Sequence, residues 1–230
     1  MVDMDFRGNT LLAALSGDAR DALAPHLAPG AFAQGAVLAE AGDAIEYVYF
    51  PLSGMISVVV VMKDGKAIET ATLGREGMFG GMAGFGRYVT KFRAIVQTSI
   101  TALRIPAVQF GKAVQKSREL QTLCIGHNEL LLIQARVTAA CNALHKVEER
   151  FCRWLLQTRE ITGSDTINLT QEFLSEMLGV RRTSITDVAS RLQAAGIISY
   201  SRGVIRIIDL PALQRLSCEC FETLREQHAV

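Results

Sequence analysis

Arg181-Arg182-Thr183-Ser184, with Thr186 two places on, bring two guanidiniums and three hydroxyls together in one short stretch. A guanidinium fork donates paired hydrogen bonds to a guanine edge or to phosphate oxygens, and hydroxyls serve base or backbone alike. This is the chemistry of reading a nucleic acid rather than of making or breaking a bond. Downstream, Arg202 in Ser201-Arg202-Gly203 and then Arg206 add a second basic group suited to phosphates. No Ser/His/Asp ordering with a supporting motif and no His-x-His metal spacing appears. The stretch GREGMFGGMAGFG is glycine-rich but lacks the lysine and the strand–helix setting of a phosphate loop. No catalytic residue is therefore expected, and an enzymatic or small-molecule-binding barrel without DNA readout is the rival reading. Cys218-Glu219-Cys220 has metal-ligand chemistry, but two residues apart on one helix they point to different sides, so no metal site is expected.

The elements that must position these groups are legible around them. Thr170 is a helix-capping residue followed by Gln171 and Glu172 in a first turn, and it joins the expected contact set. Phe173, Leu174, Met177 and Leu178 recur at helical spacing, and Gly179 can take the left-handed conformation of a tight helix end. A second helix is predicted from about Arg182 to Ala195, with Ile185, Val188, Ala189 and Leu192 inward. That register leaves Arg181, Arg182, Thr183, Ser184, Thr186 and Asp187 outward. Two short amphipathic helices around a glycine turn read as a helix-turn-helix. The following IISYSRGVIRI reads as a hairpin wing whose edge carries Arg202 and Arg206.

The rest of the chain divides by period. A hydrophobic content of 49% with 20% charged residues suits packed cores, and a net charge of +1 confines any basic surface to a local patch. Apolar runs broken by glycines, with a hairpin signal at Asp64-Gly65, predict a β-barrel or jelly roll over about residues 30–106. A long helix is predicted from about Arg118 to Leu144. Leu123, Leu130, Val137 and Leu144 fall every seventh residue, with His127, Gln134 and Cys141 between them, a heptad seam for pairing two copies of the chain. Further helices are expected over 146–161 and, as one closing element, over 211–227. The expected fold class is α+β: a sensor domain over 1–117, a dimerisation helix over 118–145 and a winged helix-turn-helix domain over 146–230. Five cysteines without framework spacing, no run of about 18 apolar residues and no secretory leader point to the cytoplasm.

With barrel, long helix and winged helix-turn-helix in this order, the chain resembles the Crp/Fnr family of bacterial transcription regulators. The residues that carry the resemblance are Gly35-Ala-Val-Leu, Gly42-Asp43, Val48-Tyr49-Phe50, Ser53-Gly54, Glu149-Arg150 and LTQEFLSEMLGVRRTSITDVASRLQAAGII. The resemblance implies double-stranded DNA and a second copy of the chain as partners, RNA polymerase as a further one, and no membrane. Cyclic-nucleotide-binding members carry a cassette resembling F-x-G-E-[LI] followed by R-[ST]-A. In this chain Phe79-Gly80-Gly81-Met82 puts Gly81 where the acid belongs, and Phe92-Arg93-Ala94 puts Phe92 at the arginine place. The candidate effector pocket is thus Gly80, Gly81, Met82, Phe92, Arg93 and Ala94, with Arg136 of the long helix facing it by the resemblance. Cyclic AMP is expected to bind weakly or not at all. No cysteine precedes Cys124, which excludes the family's N-terminal iron–sulfur ligation, and His26, His127 and His145 read as structural rather than haem ligands, so no cofactor is expected. The family's recognition helix begins with a pattern resembling S-R-E-T-[VI]. Arg182 keeps the arginine place while Thr183 replaces the glutamate, so the operator should differ from those of the best-known members.

Overall fold

The structure, a computed structural model, describes residues 6–227 and divides into two units. The first comprises Met1–Val58 with Thr72–Ile133, the second Val59–Ala71 with Gln134–Val230.

In the first unit α1 (Thr10–Ala14) and α2 (Gly17–Leu23) precede a set of antiparallel strands. These are β1 (Ala28–Phe32), β2 (Val37–Ala39), β3 (Tyr47–Pro51), β4 (Met55–Val61), β5 (Ala67–Leu73), β6 (Arg93–Thr98) and β7 (Ile100–Pro106), of which the end of β4 and most of β5, within Val59–Ala71, belong to the second unit. They form two sheets, in the orders β1-β7-β3 and β2-β6-β4-β5. Phe50, Met55, Ile56, Ile100 and Ile105 are fully buried between elements, which is where the β-branched and aromatic runs of the sequence find their packing. α3 (Ala107–Lys116) closes this core, with Phe110 edge-on to Phe50 at a centroid separation of 6.0 Å. Asp64-Gly65 makes the expected turn: the Met62 N–H donates to the Lys66 carbonyl at 2.7 Å, and Gly65 sits at φ +84.

A buried asparagine ties the start of the chain to this core. Asn9 is the N-cap of α1, its Oδ1 accepting from the Leu12 N–H at 3.2 Å. Its Nδ2 donates to the carbonyls of Pro51 at 3.0 Å and Gly77 at 2.9 Å, so one amide satisfies three backbone groups. An unpartnered buried carbonyl or amide would be costly, and Asn9 prevents that at three places at once.

α4 runs Arg118–Leu144. The heptad positions expected to face another chain divide in two. Leu144 is 79% exposed, but Cys141, Gln134 and His127 are buried. His127 Nε2 accepts from the Met78 N–H at 3.1 Å, and Cys141 packs against Cys218 and Cys220 with Val137 alongside. Leu123 and Leu130 are half-buried. The sequence period marks the buried stripe of the helix as well as any outward one, and here the polar members of that stripe turn inward because hydrogen-bonding partners lie there. Besides Leu144, Ile125 and Leu132 of α4 are outward and apolar, again seven apart.

In the second unit α5 (Val147–Thr162) is the central element, with Phe151, Trp154, Leu155 and Leu156 buried. The Trp154 Nε1–H donates at 2.9 Å to Glu69, on the hairpin segment that belongs to this unit. β8 (Thr166–Asn168), α6 (Gln171–Leu178), α7 (Arg182–Ala194), β9 (Ile198–Ser201) and β10 (Val204–Ile207) follow, with the strands in the order β8-β10-β9. β8 was not expected from sequence, since three residues carry no detectable alternation. The single closing helix expected over 211–227 is two helices, α8 (Leu210–Leu216) and α9 (Cys220–Gln227). Ser217 takes an extended conformation (φ −74, ψ 150) and breaks the run, so Cys218 and Cys220 do not share one continuous helix.

Asn9→Ala should lower unfolding free energy by about 1–3 kcal/mol or more, the cost of leaving buried backbone groups unsatisfied. Asn9→Asp keeps the cap acceptor but loses both donors, and should retain only part of that stability. Urea unfolding followed by circular dichroism measures both; a wild-type midpoint for Asn9→Ala would show that water replaces all three bonds.

Candidate nucleic-acid interface

The two helices expected to read DNA are held by their ends. The Thr170 hydroxyl caps α6 by accepting from the Phe173 N–H at 3.2 Å. Gly179 ends α6 in the left-handed region (φ 61, ψ 37), and the Val180 N–H returns to the Ser175 carbonyl at 3.0 Å. A Cβ at 179 would lie 2.7 Å from Ile68 Cδ1, a second reason for glycine at this turn. One further contact fixes the end of α6. Arg150, buried on α5, donates through Nη2 to the Leu178 carbonyl, one of the groups a helix end leaves without an intrahelical partner. The neighbouring Glu149 accepts from the Lys146 N–H at 2.9 Å at the start of α5. Glu149-Arg150 was legible only as part of a resemblance; its physical work is to close one helix start and one helix end.

α7 packs through Ile185, Val188, Ala189 and Leu192, all buried as the spacing predicted. Its far end is tied to α5 by Arg191, whose Nε and Nη2 reach Glu148 Oε2 at 2.9 and 2.6 Å. The opposite end is open. Arg181 occupies the N-cap position, and Arg182, Thr183 and Thr186 are exposed, with Ser184 half-buried. Arg182 Nη1 lies 3.8 Å from Glu172 Oε2 with both side chains about two-thirds exposed, a surface pair of small energy that releases its guanidinium easily. The Thr186 hydroxyl lies 2.9 Å from Gln171 Oε1 and 3.1 Å from the Arg182 carbonyl, which commits it to the α6–α7 contact and leaves it less free for a base than the sequence suggested.

The wing turns at Arg202-Gly203, with φ 49 and 79. Positive φ at both central residues suits a two-residue hairpin, and the non-glycine member of the pair is the basic one. Arg202 and Arg206 are exposed. The wing is braced by the Leu169 N–H donating to the Gly203 carbonyl at 2.6 Å and by the Tyr200 hydroxyl donating to the Leu169 carbonyl at 3.0 Å. Of the expected contact set, then, Arg181, Arg182, Thr183 and Ser184 gather at one helix start, Arg202 and Arg206 lie on the wing, and Thr170 serves as a cap.

The expected effector pocket is rearranged in its details. Gly80 sits at φ +87 with Ile45 Cγ2 2.9 Å and the Tyr47 carbonyl 3.0 Å from where a Cβ would be, so the backbone itself requires glycine there. Gly81 and Met82 lie in a short 3-10 helix, Gly81–Phe85. A side chain at 81 would enter space held by Met78, whose Cε is 2.7 Å from the ideal Cβ and which is buried. Arg93 is paired with Glu40, Nε to Oε2 at 2.9 Å, and Ala94 is fully buried. Phe92 is half-buried, its N–H donating to Thr90 Oγ1 at 3.3 Å. Arg136 is exposed on α4 in the second unit.

The sequence matches two family models, a cyclic nucleotide-binding domain over residues 30–117 and a Crp-like helix-turn-helix domain over 149–216. Together they span well over half of the chain. The chain belongs to the Crp/Fnr family. It is a DNA-binding transcription regulator with a cyclic-nucleotide-binding-like domain, and the reading as a barrel without DNA readout is not favoured. Among curated relatives, a global nitrogen regulator of Synechocystis sp. is 24% identical over 183 residues, covering 76% of this chain and 81% of that protein. Among solved structures, a transcriptional regulator of the Crp/Fnr family from Eubacterium rectale superposes with a TM-score of 0.73 at 17% identity, covering 91% of this chain and 98% of the other. FixK2 of Bradyrhizobium japonicum gives 0.71 at 16% identity, covering 84% and 98%. These structural likenesses support the α+β architecture. No helix among the described residues is long and apolar enough to cross a membrane.

Two substitutions separate base reading from backbone attraction. Arg182→Ala should cost roughly 1–3 kcal/mol of affinity and relax preference at one base pair of each half-site. Arg202→Ala should weaken binding equally on all sequences and reduce the salt slope by about 1. Fluorescence titrations of a selected operator and its single-base variants across a salt series give both numbers; a sequence-independent loss for Arg182→Ala would reassign it to a phosphate.

Proposed function

We propose that the protein acts as a homodimer in the cytoplasm, placing two copies of α7 in successive major grooves and regulating transcription through contact with RNA polymerase, without catalysing a reaction. The observation that supports this most directly is the open, arginine-bearing start of α7 beside a basic wing, while the helix's apolar stripe is buried and Arg191 near its far end is tied to Glu148. For the dimer, Ile125 (59% exposed) and Leu132 (40%) offer an outward apolar seam on α4 at heptad spacing, displaced from the one first expected. The curated relative is a global nitrogen regulator and the Eubacterium rectale protein a transcriptional regulator, which favours a regulator over an enzyme.

The sensor domain, in this reading, does not recognise cyclic AMP. Gly81 supplies no acceptor for the ribose hydroxyls, a deficit of about 1–3 kcal/mol for a buried hydroxyl left unpaired. Arg93 is engaged by Glu40, so recruiting it to a phosphate would break an existing ion pair. Thr183 in place of the family's glutamate removes an acceptor for cytosine, which supports an operator of different sequence.

Selection from random duplexes followed by sedimentation should return inverted repeats with half-sites about 10 bp apart, bound by two chains. A chain that stays monomeric and ignores every selected duplex at low ionic strength would overturn the proposal. Calorimetry with cyclic AMP should show no stoichiometric heat at micromolar concentrations; tight binding that also strengthens DNA affinity would refute the sensor reading alone.

A further inference from the structure

Away from the DNA-reading face, four metal-ligating side chains converge at the base of the second unit. Cys141 lies in the last turn of α4 and His145 just beyond it, the His145 N–H still bonded to the Cys141 carbonyl at 3.1 Å. Cys218 lies in the break between α8 and α9, and Cys220 is the first residue of α9. The sulfurs and a ring nitrogen of these four residues all lie within 4.8 Å of one another, and the three cysteines are buried.

The spacing matches a tetrahedron. With Zn–S near 2.3 Å and Zn–N near 2.0–2.1 Å, a tetrahedral site has S···S edges of about 3.8 Å and S···N edges of about 3.6 Å. Cys141 Sγ and Cys218 Sγ are 3.5 Å apart, and Cys220 Sγ is 3.6 Å from His145 Nδ1. The widest separation, 4.8 Å at most, needs to close by only about 1 Å. A disulfide would need about 2.05 Å between two sulfurs and would engage two of the four donors, leaving the histidine without a role.

The surroundings point the same way. His145 turns Nδ1 to the sulfurs while Nε2 faces Glu219 at 3.2 Å, a carboxylate–histidine arrangement that orients a metal-binding imidazole. Three thiolates on a divalent ion leave one negative charge. Arg150 and Arg153 are both buried and within electrostatic reach of Cys141 and Cys218, and the Nε of each has no hydrogen-bond partner.

From this geometry we infer that Cys141, His145, Cys218 and Cys220 form a closed Cys3His site for a divalent soft metal, zinc, in the DNA-binding unit. Thiolate-rich, four-donor, tetrahedral sets select zinc, and a set with no open position is structural rather than catalytic. The ion staples the last turn of α4 to the α8–α9 turn, bridging residues 77 apart in sequence. It also steadies the start of α5, to which Arg191 of α7 is tied through Glu148. Cysteine chemistry at this place is separate from the effector pocket and from base reading.

The test uses the untagged full-length chain prepared with zinc, without chelator and under reducing conditions. Elemental analysis should find about one zinc per chain surviving gel filtration. Thiol modification should release that zinc, and cobalt replacement should give the intense visible bands and thiolate-to-metal charge transfer of tetrahedral coordination. Cys218→Ser with Cys220→Ser should abolish stoichiometric metal, while Cys124→Ala should retain it. Zinc removal should lower the unfolding temperature of wild type. Because the cobalt spectrum is read on wild type, the outcome stands even where the double variant folds poorly. No retained zinc together with a weak octahedral cobalt spectrum would overturn the inference. Undiminished metal in a folded double variant, or a Cys141–Cys218 disulfide in freshly prepared metal-free protein, would do so too.

Discussion

The turn between α6 and α7 is the constraint on which the DNA-reading surface depends. Gly179 provides the left-handed residue that reverses the chain, and the Arg150 guanidinium takes the Leu178 carbonyl that the helix end would leave unsatisfied. Because Arg150 is itself buried on α5, the end of α6 is referenced to the core of the unit rather than to solvent. α7 then leaves that turn with its apolar stripe on the core and its first residues in the open. A buried charge is expensive unless its hydrogen bonds are met, so this arrangement fixes geometry more than it adds stability.

The two ends of α7 have opposite characters. At its far end Arg191 is locked to Glu148 by two short hydrogen bonds, while at its start Arg182 has only a long surface contact with Glu172. A recognition helix needs this asymmetry: rigid where it is referenced to the protein, uncommitted where it meets the groove. The wing repeats the pattern, its base tied through Tyr200 and Leu169 and its tip a basic residue at positive φ. In the barrel, by contrast, the cassette positions are filled or engaged. Met78 occupies the space beside Gly81, and Glu40 holds Arg93.

Sequence by itself determined the periodic and the punctuated features. The helix bounds of α4, α6 and α7, the Asp64-Gly65 hairpin and the wing followed from apolar spacing, caps and glycine, because each of these acts within a few residues of chain. The exposed arginines of α7 followed as well, since a known helix register fixes which residues cannot be inside. Tertiary structure decided what depends on partners distant in the chain. Asn9 looks like any N-cap until Pro51 and Gly77 are seen to need its donors, and His127, Gln134 and Cys141 look like an intermolecular seam until the packed elements are seen to bury them. The setting of the cysteine pair at 218 and 220 is likewise decided by tertiary structure. The sequence predicts one helix across Ser217, but the chain bends there, and the bend brings both sulfurs to Cys141 and His145. Local rules fix local geometry; side chains far apart along the chain meet only once its elements have packed.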